Sequence, residues 1–340
     1  MNIFSRMSNI IIIAIIALSS GIALAGSHGL NGKTIRFVVG FGAGGGYDSY
    51  ARLLAPLYEK QLNATVLVEN QPGAGGLVAL NRFVRAPGDG LSVTIVNGTG
   101  AGLTQILGLK AAKFDLTKMR QLGIVDGSRW LLLVQPNSPI NSLTDMMKSS
   151  KQLAWGGSGK ISGMSDGAAM ACFTLGVNCK VVIGYKGSSS IALAVEQGEM
   201  DGMYVSETSA LKYTKAGKVK PIATWSRGRS TLFPNLPTVF EQLKLTKDQE
   251  WWIDYRATIE GLGRMLVLPP GTPQKMTDTW LKATDNILSD PKVVSDFAKK
   301  RREIEYVPAK EVEKMLDKVL SSVTTKQRSQ LRKVILGPNS

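Results

Sequence analysis

Histidine is nearly missing from this sequence. His28 is the single one among 340 residues, and it stands close to the start of the chain. Ser-His-Asp and Cys-His catalysis both need an imidazole beside the nucleophile, so one terminal histidine leaves no such pair to build. Cysteine is scarce as well, with Cys172 and Cys179 the only two. Two thiols and one distant imidazole do not make a zinc site, and no metal or other cofactor is expected. A membrane helix needs about 20 consecutive apolar residues, and the run Ile10–Leu18 falls far short of that. Basic residues are not interleaved with aromatic ones as on a single-strand-binding surface, which argues against a nucleic-acid partner.

What is present is the composition of a globular protein, 44% hydrophobic and 20% charged. A chain of 340 residues suits two domains of ordinary size. The formal charge of +15 attracts anions at long range. It serves equally as a solvated basic surface, to which the cluster Lys299-Lys300-Arg301-Arg302 is assigned.

The N-terminus reads as a secretory signal. A short segment with one cation, Met1–Arg6, precedes the apolar run, and Ala23-Leu24-Ala25 supplies a small-residue cleavage signature. Cleavage after Ala25 removes Arg6 and no acid, which leaves a mature charge of +14. Export carries two consequences. The periplasm is the expected compartment, and Cys172 and Cys179 are expected to pair there, two buried free thiols being the alternative.

Along the chain, short β-branched runs alternate with helical periods. Ile35–Val39, Thr65–Glu69 and Leu91–Val96 read as strands, each followed by a loop and a helix. Pro56 falls inside the first helical pattern, where a kink or shift of axis is expected. A second series has strands at Leu131–Val134, Leu153–Trp155, Lys180–Ile183, Gly202–Val205 and Val219–Trp225. Repeated strand–loop–helix units predict parallel sheets with helices on both faces. The predicted domains are 26–127 plus 229–340 and 128–228 after a signal of 1–25, with crossings near Asp126–Arg129 and Trp225–Arg229. Two crossings allow closure about a hinge.

Ligands in such sheets bind beyond the carboxyl ends of the strands, and here those ends are glycine-rich. The densest loop runs from Gly40 to Asp48. Glycines there let the backbone approach a ligand, and the free N–H groups of the following helix form an anion site. A dinucleotide fingerprint matches this loop only loosely, and Gly32-Lys33-Thr34 precedes a strand, which is the wrong place for a phosphate loop. Asp48 reads either as a helix cap or as a partner for a ligand hydroxyl or amine. Tyr47, Trp155, Trp251, Trp252 and Tyr255 read either as an aromatic ligand wall or as packing.

Taken together, the motifs resemble those of the substrate-binding proteins of tripartite tricarboxylate transporters, the Bug family. The resemblance is carried by Gly44-Gly45-Gly46-Tyr47-Asp48, by Glu69–Gly76, by Ala86-Pro87-Gly88-Asp89-Gly90 and by Gly184-Tyr185-Lys186-Gly187-Ser188. It continues through Gly198–Gly202, Leu236-Pro237-Thr238-Val239 and Leu268–Pro273, in the family's order. It implies a two-domain α/β periplasmic-binding-protein fold of type II, the Venus flytrap, with parallel-sheet domains and a hinge. It also implies a non-catalytic receptor, expected to be a monomer. Such a receptor holds a small carboxylate and delivers it to the membrane components of a transporter, or in a sensory variant presents it to a membrane kinase. Carried over by motif, the contacts come from Gly44, Gly45, Gly46, Tyr47 and Asp48, and from Gly73, Ala74 and Gly75. Gly157, Ser158 and Gly159, with Lys186, Gly187 and Ser188, face them from the second domain. Thr99 and Ser206 stand at further strand ends. The chain departs from the family pattern at Gln71, Tyr47 and Met164-Ser165-Asp166, positions that bear on which ligand fits.

Overall fold

The computed structural model describes residues 29–127 and 129–337. The signal segment and His28 lie outside the described residues. Two sheets organise the chain. The first has strands β1 (Thr34–Val39), β2 (Thr65–Asn70), β3 (Ser92–Asn97), β4 (Arg120–Ile124), β10 (Arg264–Leu268) and β11 (Val307–Pro308), in the order β11-β4-β10-β3-β1-β2. The second has β5 (Trp130–Val134), β6 (Leu153–Gly156), β7 (Cys179–Val182), β8 (Gly202–Ser206) and β9 (Lys220–Thr224), in the order β7-β6-β8-β5-β9.

The sheets are mixed, which corrects the expectation of parallel ones. Strands β1, β2 and β3 are parallel, but β10 lies antiparallel between β3 and β4. Likewise β5 runs antiparallel to both β8 and β9. The reason is directional. Each of these two strands is the first after the chain crosses between domains, so it starts at the edge where its neighbours end. That shared edge, the carboxyl ends of β1 to β4 and of β6 to β9, is the cleft.

The helices follow from local pattern. Helix α1 (Gly46–Leu62) buries Tyr50, Ala51, Leu54, Ala55, Tyr58 and Leu62, a stripe with i, i+4 spacing. It runs on through Pro56 and ends at Asn63, in the left-handed region at φ 48°. Beyond β2 come α2 (Leu77–Phe83) and, after β3, α3 (Gly98–Ile106). The second domain adds α4 (Leu143–Lys148), α5 (Gly163–Leu175), α6 (Ser188–Glu196), α7 (Glu207–Lys215) and α8 (Val239–Gln242). Helix α9 (Lys247–Gly261) begins with a capping box of Thr246 and Gln249. The tail is helical: α10 (Gln274–Leu288), α11 (Pro291–Lys299), α12 (Ala309–Ser321) and α13 (Thr325–Leu336). No helix among the described residues is long and apolar enough to cross a membrane.

The second crossing lies later than the sequence pattern places it. Trp225 and Val239 are buried in the second-domain core, with Phe240, Leu243 and Leu245 packed against it. Thr224 also bridges Thr238. Burial of that apolar segment holds residues 229–245 on the second sheet, so the chain returns only through α9 and Gly261-Leu262-Gly263. A further tie joins the domains: Met170 of α5 belongs to the same core cluster as Trp252, Tyr255 and Ile259 of α9 and Leu331 and Ile335 of α13.

Cys172 and Cys179 form a disulfide across the turn from α5 to β7, with Cα atoms 6.1 Å apart. Closing so short a loop stabilises by about 2 kcal/mol in the chain-entropy account. The Cys172→Ala/Cys179→Ala variant is therefore expected to lose about that much in urea denaturation. Thiol titration of the unfolded, unreduced protein should find no free thiol, and finding two would refute the bridge.

Candidate functional site

The first glycine loop is braced from within. Gly44 adopts φ 76°, and its N–H donates to Asp48 Oδ2 at 2.8 Å. The Gly45 N–H is also committed, to Gly42 O at 3.3 Å. Asp48 is buried and accepts further bonds from Arg52 Nε at 3.0 Å and Asn70 Nδ2 at 2.9 Å. Burial alone would raise its pKa, but the bonds from Arg52, Gly44 and Asn70 outweigh burial and hold it below the usual carboxylate range. Asp48 is therefore not the N-cap, although it does accept a backbone N–H, that of Gly44. Gly45, without a side-chain bond, is the N-cap, and Asp48 ties the loop to α1 and β2. The N–H groups of Gly46, Tyr47 and Asp48 open α1 without an intrahelical acceptor, the first such bond running from the Ser49 N–H to Gly45 O. Gly46 is exposed.

The second loop is built on consecutive residues with positive φ: Ala74 at 47°, Gly75 at 66° and Gly76 at 95°. Only glycine adopts these angles freely, which is why two of them stand together here. A Cβ on Gly75 would lie 4.0 Å from Ile161 O, so this loop of the first domain already meets the loop after β6 in the second.

Thr99 is not at the cleft surface. It is buried, and its hydroxyl donates to Ile259 O of α9 at 3.3 Å. The start of α3 is pressed against the chain just beyond α9, since a Cβ on the adjacent Gly98 would lie 2.4 Å from Leu262 O. In the second domain, Gly157 is buried and spends its N–H on Val182 O at 2.8 Å. Ser158 and Gly159 are half-buried on the loop beyond it. Ser162, which sequence reasoning passed over, caps α5 by accepting from the Ser165 N–H. Lys186 is exposed, and Gly187 O accepts from Ser190 Oγ at 2.9 Å. Ser188 pairs with the Tyr213 hydroxyl at 2.8 Å, and Ser206 lies 3.3 Å from Thr208 Oγ1. Of the aromatic candidates, Trp155, Trp252 and Tyr255 are core residues, and Trp251 packs on Tyr255, rings 4.9 Å apart. Tyr47 alone stays with the loop.

The residue that sequence reasoning missed is Arg264, the first of β10. It stands opposite Asn97, at the cleft edge. Its guanidinium lies 5.0 Å from the Tyr47 ring centre and 4.7 Å from that of Tyr50. Tyr47 in turn stacks on Phe41 at 4.2 Å. Arg264 Nη1 is ion-paired with Asp126, which also accepts from the Tyr50 hydroxyl at 3.2 Å. Burial pushes the Tyr47 hydroxyl up to about 12, so it stays protonated at neutral pH. No group of His, Cys, Asp and Glu among the described residues could hold a metal ion.

Residues 50–327 match the family described as the tripartite tricarboxylate transporter family receptor. The chain belongs to this family. A UPF0065 protein of Bordetella pertussis is 28% identical to this receptor over 286 residues, covering 83% of this chain and 84% of that one. Among solved structures, MatC of Rhodopseudomonas palustris, with bound malate, has a TM-score of 0.68 at 22% identity, covering 89% of this receptor and 99% of MatC. Another R. palustris protein, with adipate, has a TM-score of 0.70 at 18% identity, covering 89% and 97%. These likenesses confirm a two-domain solute-binding fold for the receptor. Such receptors bind and release rather than catalyse.

Proposed function

We propose that this receptor works in the periplasm, captures a small carboxylate in the cleft and hands it to the membrane components of a tripartite tricarboxylate-type transporter. One observation carries the reading of the site: the Gly46 and Tyr47 N–H groups open a helix of 17 residues at the cleft edge, with a glycine in place of a shielding side chain. The helix dipole favours an anion there. The loops at Ala74-Gly75 and Ser158-Gly159, with the chain near Lys186-Gly187-Ser188, close the site from either side. The malate and adipate bound by the two structural relatives are consistent with that charge.

The test is differential scanning fluorimetry with succinate, malate, citrate, adipate and benzoate. A bound acid should stabilise the protein by about 2.7 kcal/mol at a hundredfold excess over its dissociation constant. Gly46→Val, which covers the helix end, should reduce binding by about 100-fold by calorimetry while the fold persists. Lys186→Ala should cost tenfold or less, in keeping with about 1 kcal/mol for an exposed charge. No stabilisation by any of the acids, or normal binding by Gly46→Val, would overturn the reading.

A further inference from the structure

We propose that Arg264 grips the carboxylate directly, so that this receptor selects its ligand with a side-chain cation as well as with backbone N–H groups. The proposal rests on the carboxylate reading of the cleft and adds what makes the site demand an ionised ligand.

Three observations converge. The first is access. A Cβ on Gly46 would lie only 3.4 Å from Arg264 Nη2, so the bare glycine leaves that nitrogen open beside the first N–H groups of α1. The Arg264 side chain is 18% exposed, whereas Asp126, its partner, is 2% exposed. The second is the unused bonding edge. Nη1 holds Asp126, but Nε has no hydrogen-bond partner among the described residues. Nε and Nη2 share the edge by which a guanidinium takes a carboxylate in two parallel bonds. Nε is closed to solvent in this conformation, so engagement starts at Nη2 and reaches Nε as the loop around Gly46 adjusts. The third is pre-organisation. Tyr47 and Tyr50 hold the guanidinium, Phe41 backs Tyr47, and Asp126 fixes the far nitrogen. Little side-chain freedom is left to lose on binding.

Electrostatics points the same way. A guanidinium beside the positive end of a helix is unfavourable unless an anion joins them. Arg302 adds a second, donating to Ser49 Oγ in the same turn at 3.2 Å. Asp126 and Asp48, the acid in the first turn of α1, offset part of this charge, and a ligand carboxylate between Arg264 and the Gly46 N–H would offset more.

The experiment separates this proposal from the receptor reading. The full protein is titrated calorimetrically with succinate, malate, adipate and benzoate, and with succinamate, adipamate and benzamide, in which one carboxylate becomes a neutral amide. The wild type should favour acid over matching amide by about 30-fold or more, as expected for a charge-assisted pair. Arg264→Gln alone would take from Asp126 its cation and leave it only the Tyr50 hydroxyl among the partners named above, so Asp126→Asn/Arg264→Gln is the variant, with near-ultraviolet circular dichroism reporting its fold. It should bind acid and amide within about threefold of each other, because the charge-assisted pair is gone. Arg264→Lys, which keeps charge but not the fork, should retain the preference for acid with about tenfold weaker binding. A merely structural role would weaken acid and amide equally. If the folded double variant keeps its preference for acids, or Arg264→Lys loses its own, Arg264 is not the anchor and the receptor reading survives. If the wild type binds none of the acids, both fall.

Discussion

Arg256→Met is expected to destabilise the protein by about 3–5 kcal/mol near pH 8 and by much less near pH 5. Arg256, on α9, is wholly buried between two acids. Its Nη1 lies 2.6 Å from Asp166 Oδ1 on α5, and its Nε lies 2.6 Å from Glu260 Oε1 one turn along its own helix. Nη2 donates to Gly163 O at 3.0 Å, where α5 begins, and the Tyr204 hydroxyl of β8 donates to Glu260 at 2.6 Å. The network thus joins the helix that returns the chain to the first domain with the helix that follows the second-domain ligand loop. Two carboxylates share one cation, and burial pushes Glu260 up to about 7 against the opposing pull of Arg256 and Tyr204. Asp166 is also raised by burial.

The sign follows from linkage. Glu260 binds its proton more tightly folded than unfolded, where an ordinary glutamate titrates near 4.5. Its contribution to stability is therefore fully present below about pH 4.5 and is lost as pH rises through about 7, an effect on the order of 3 kcal/mol at most. Removing Arg256 leaves both acids without their cation, so the penalty grows where they must ionise and shrinks where they stay protonated. Glu260→Gln, which still accepts from Tyr204, should flatten the wild-type decline between about pH 5 and pH 8. Urea denaturation at those two pH values checks both variants. Equal destabilisation by Arg256→Met at both would mean that lost packing, not unpaired charge, sets its cost.

Gly263→Ala is expected to cost about 3 kcal/mol or more, through overpacking that the backbone cannot relieve. Gly263 has φ 32°, and a Cβ there would lie 1.9 Å from Asp126 O and 2.9 Å from the Gly127 Cα. Neither strand can retreat. Asp126 O already accepts from the Arg264 N–H at 3.0 Å, and Gly263 O accepts from the Gly98 N–H at 2.9 Å. The two crossings lie back to back at this point, and the missing side chain is what lets them do so. Gly176→Ala is the control. It also has positive φ, 65°, but no atom of the described residues outside its chain neighbours lies within 4 Å of its Cβ position, so only the conformational cost of about 1 kcal/mol remains. Equal losses for the two variants would remove the argument from close approach.

Much of the architecture was legible in local pattern. Alternating β-branched runs and helical stripes marked β1 to β3 with their helices and most of the second sheet, because a strand or amphipathic helix declares itself within about ten residues. The glycine loops were legible for a related reason: positive φ at Gly44, Gly75 and Gly76 favours that residue type wherever the loop goes. The proximity of Cys172 to Cys179, seven positions apart, was likewise a local fact.

What the sequence could not disclose lies in contacts between distant segments. Strand β10 is an ordinary apolar run, Met265–Leu268, and nothing local says that it enters between β3 and β4 with Arg264 opposite Asn97. That pairing carries a lone arginine to the mouth of α1, more than 200 residues away. The same holds for the acids. In the chain, Asp48 reads as a cap or as a ligand partner, and Asp166 only as part of a departure from the family pattern. In the fold, one braces the first loop and the other is sealed against Arg256. Hydrophobic period is a property of a segment, whereas the charge and partner of a buried polar group belong to the neighbours that tertiary packing brings to it.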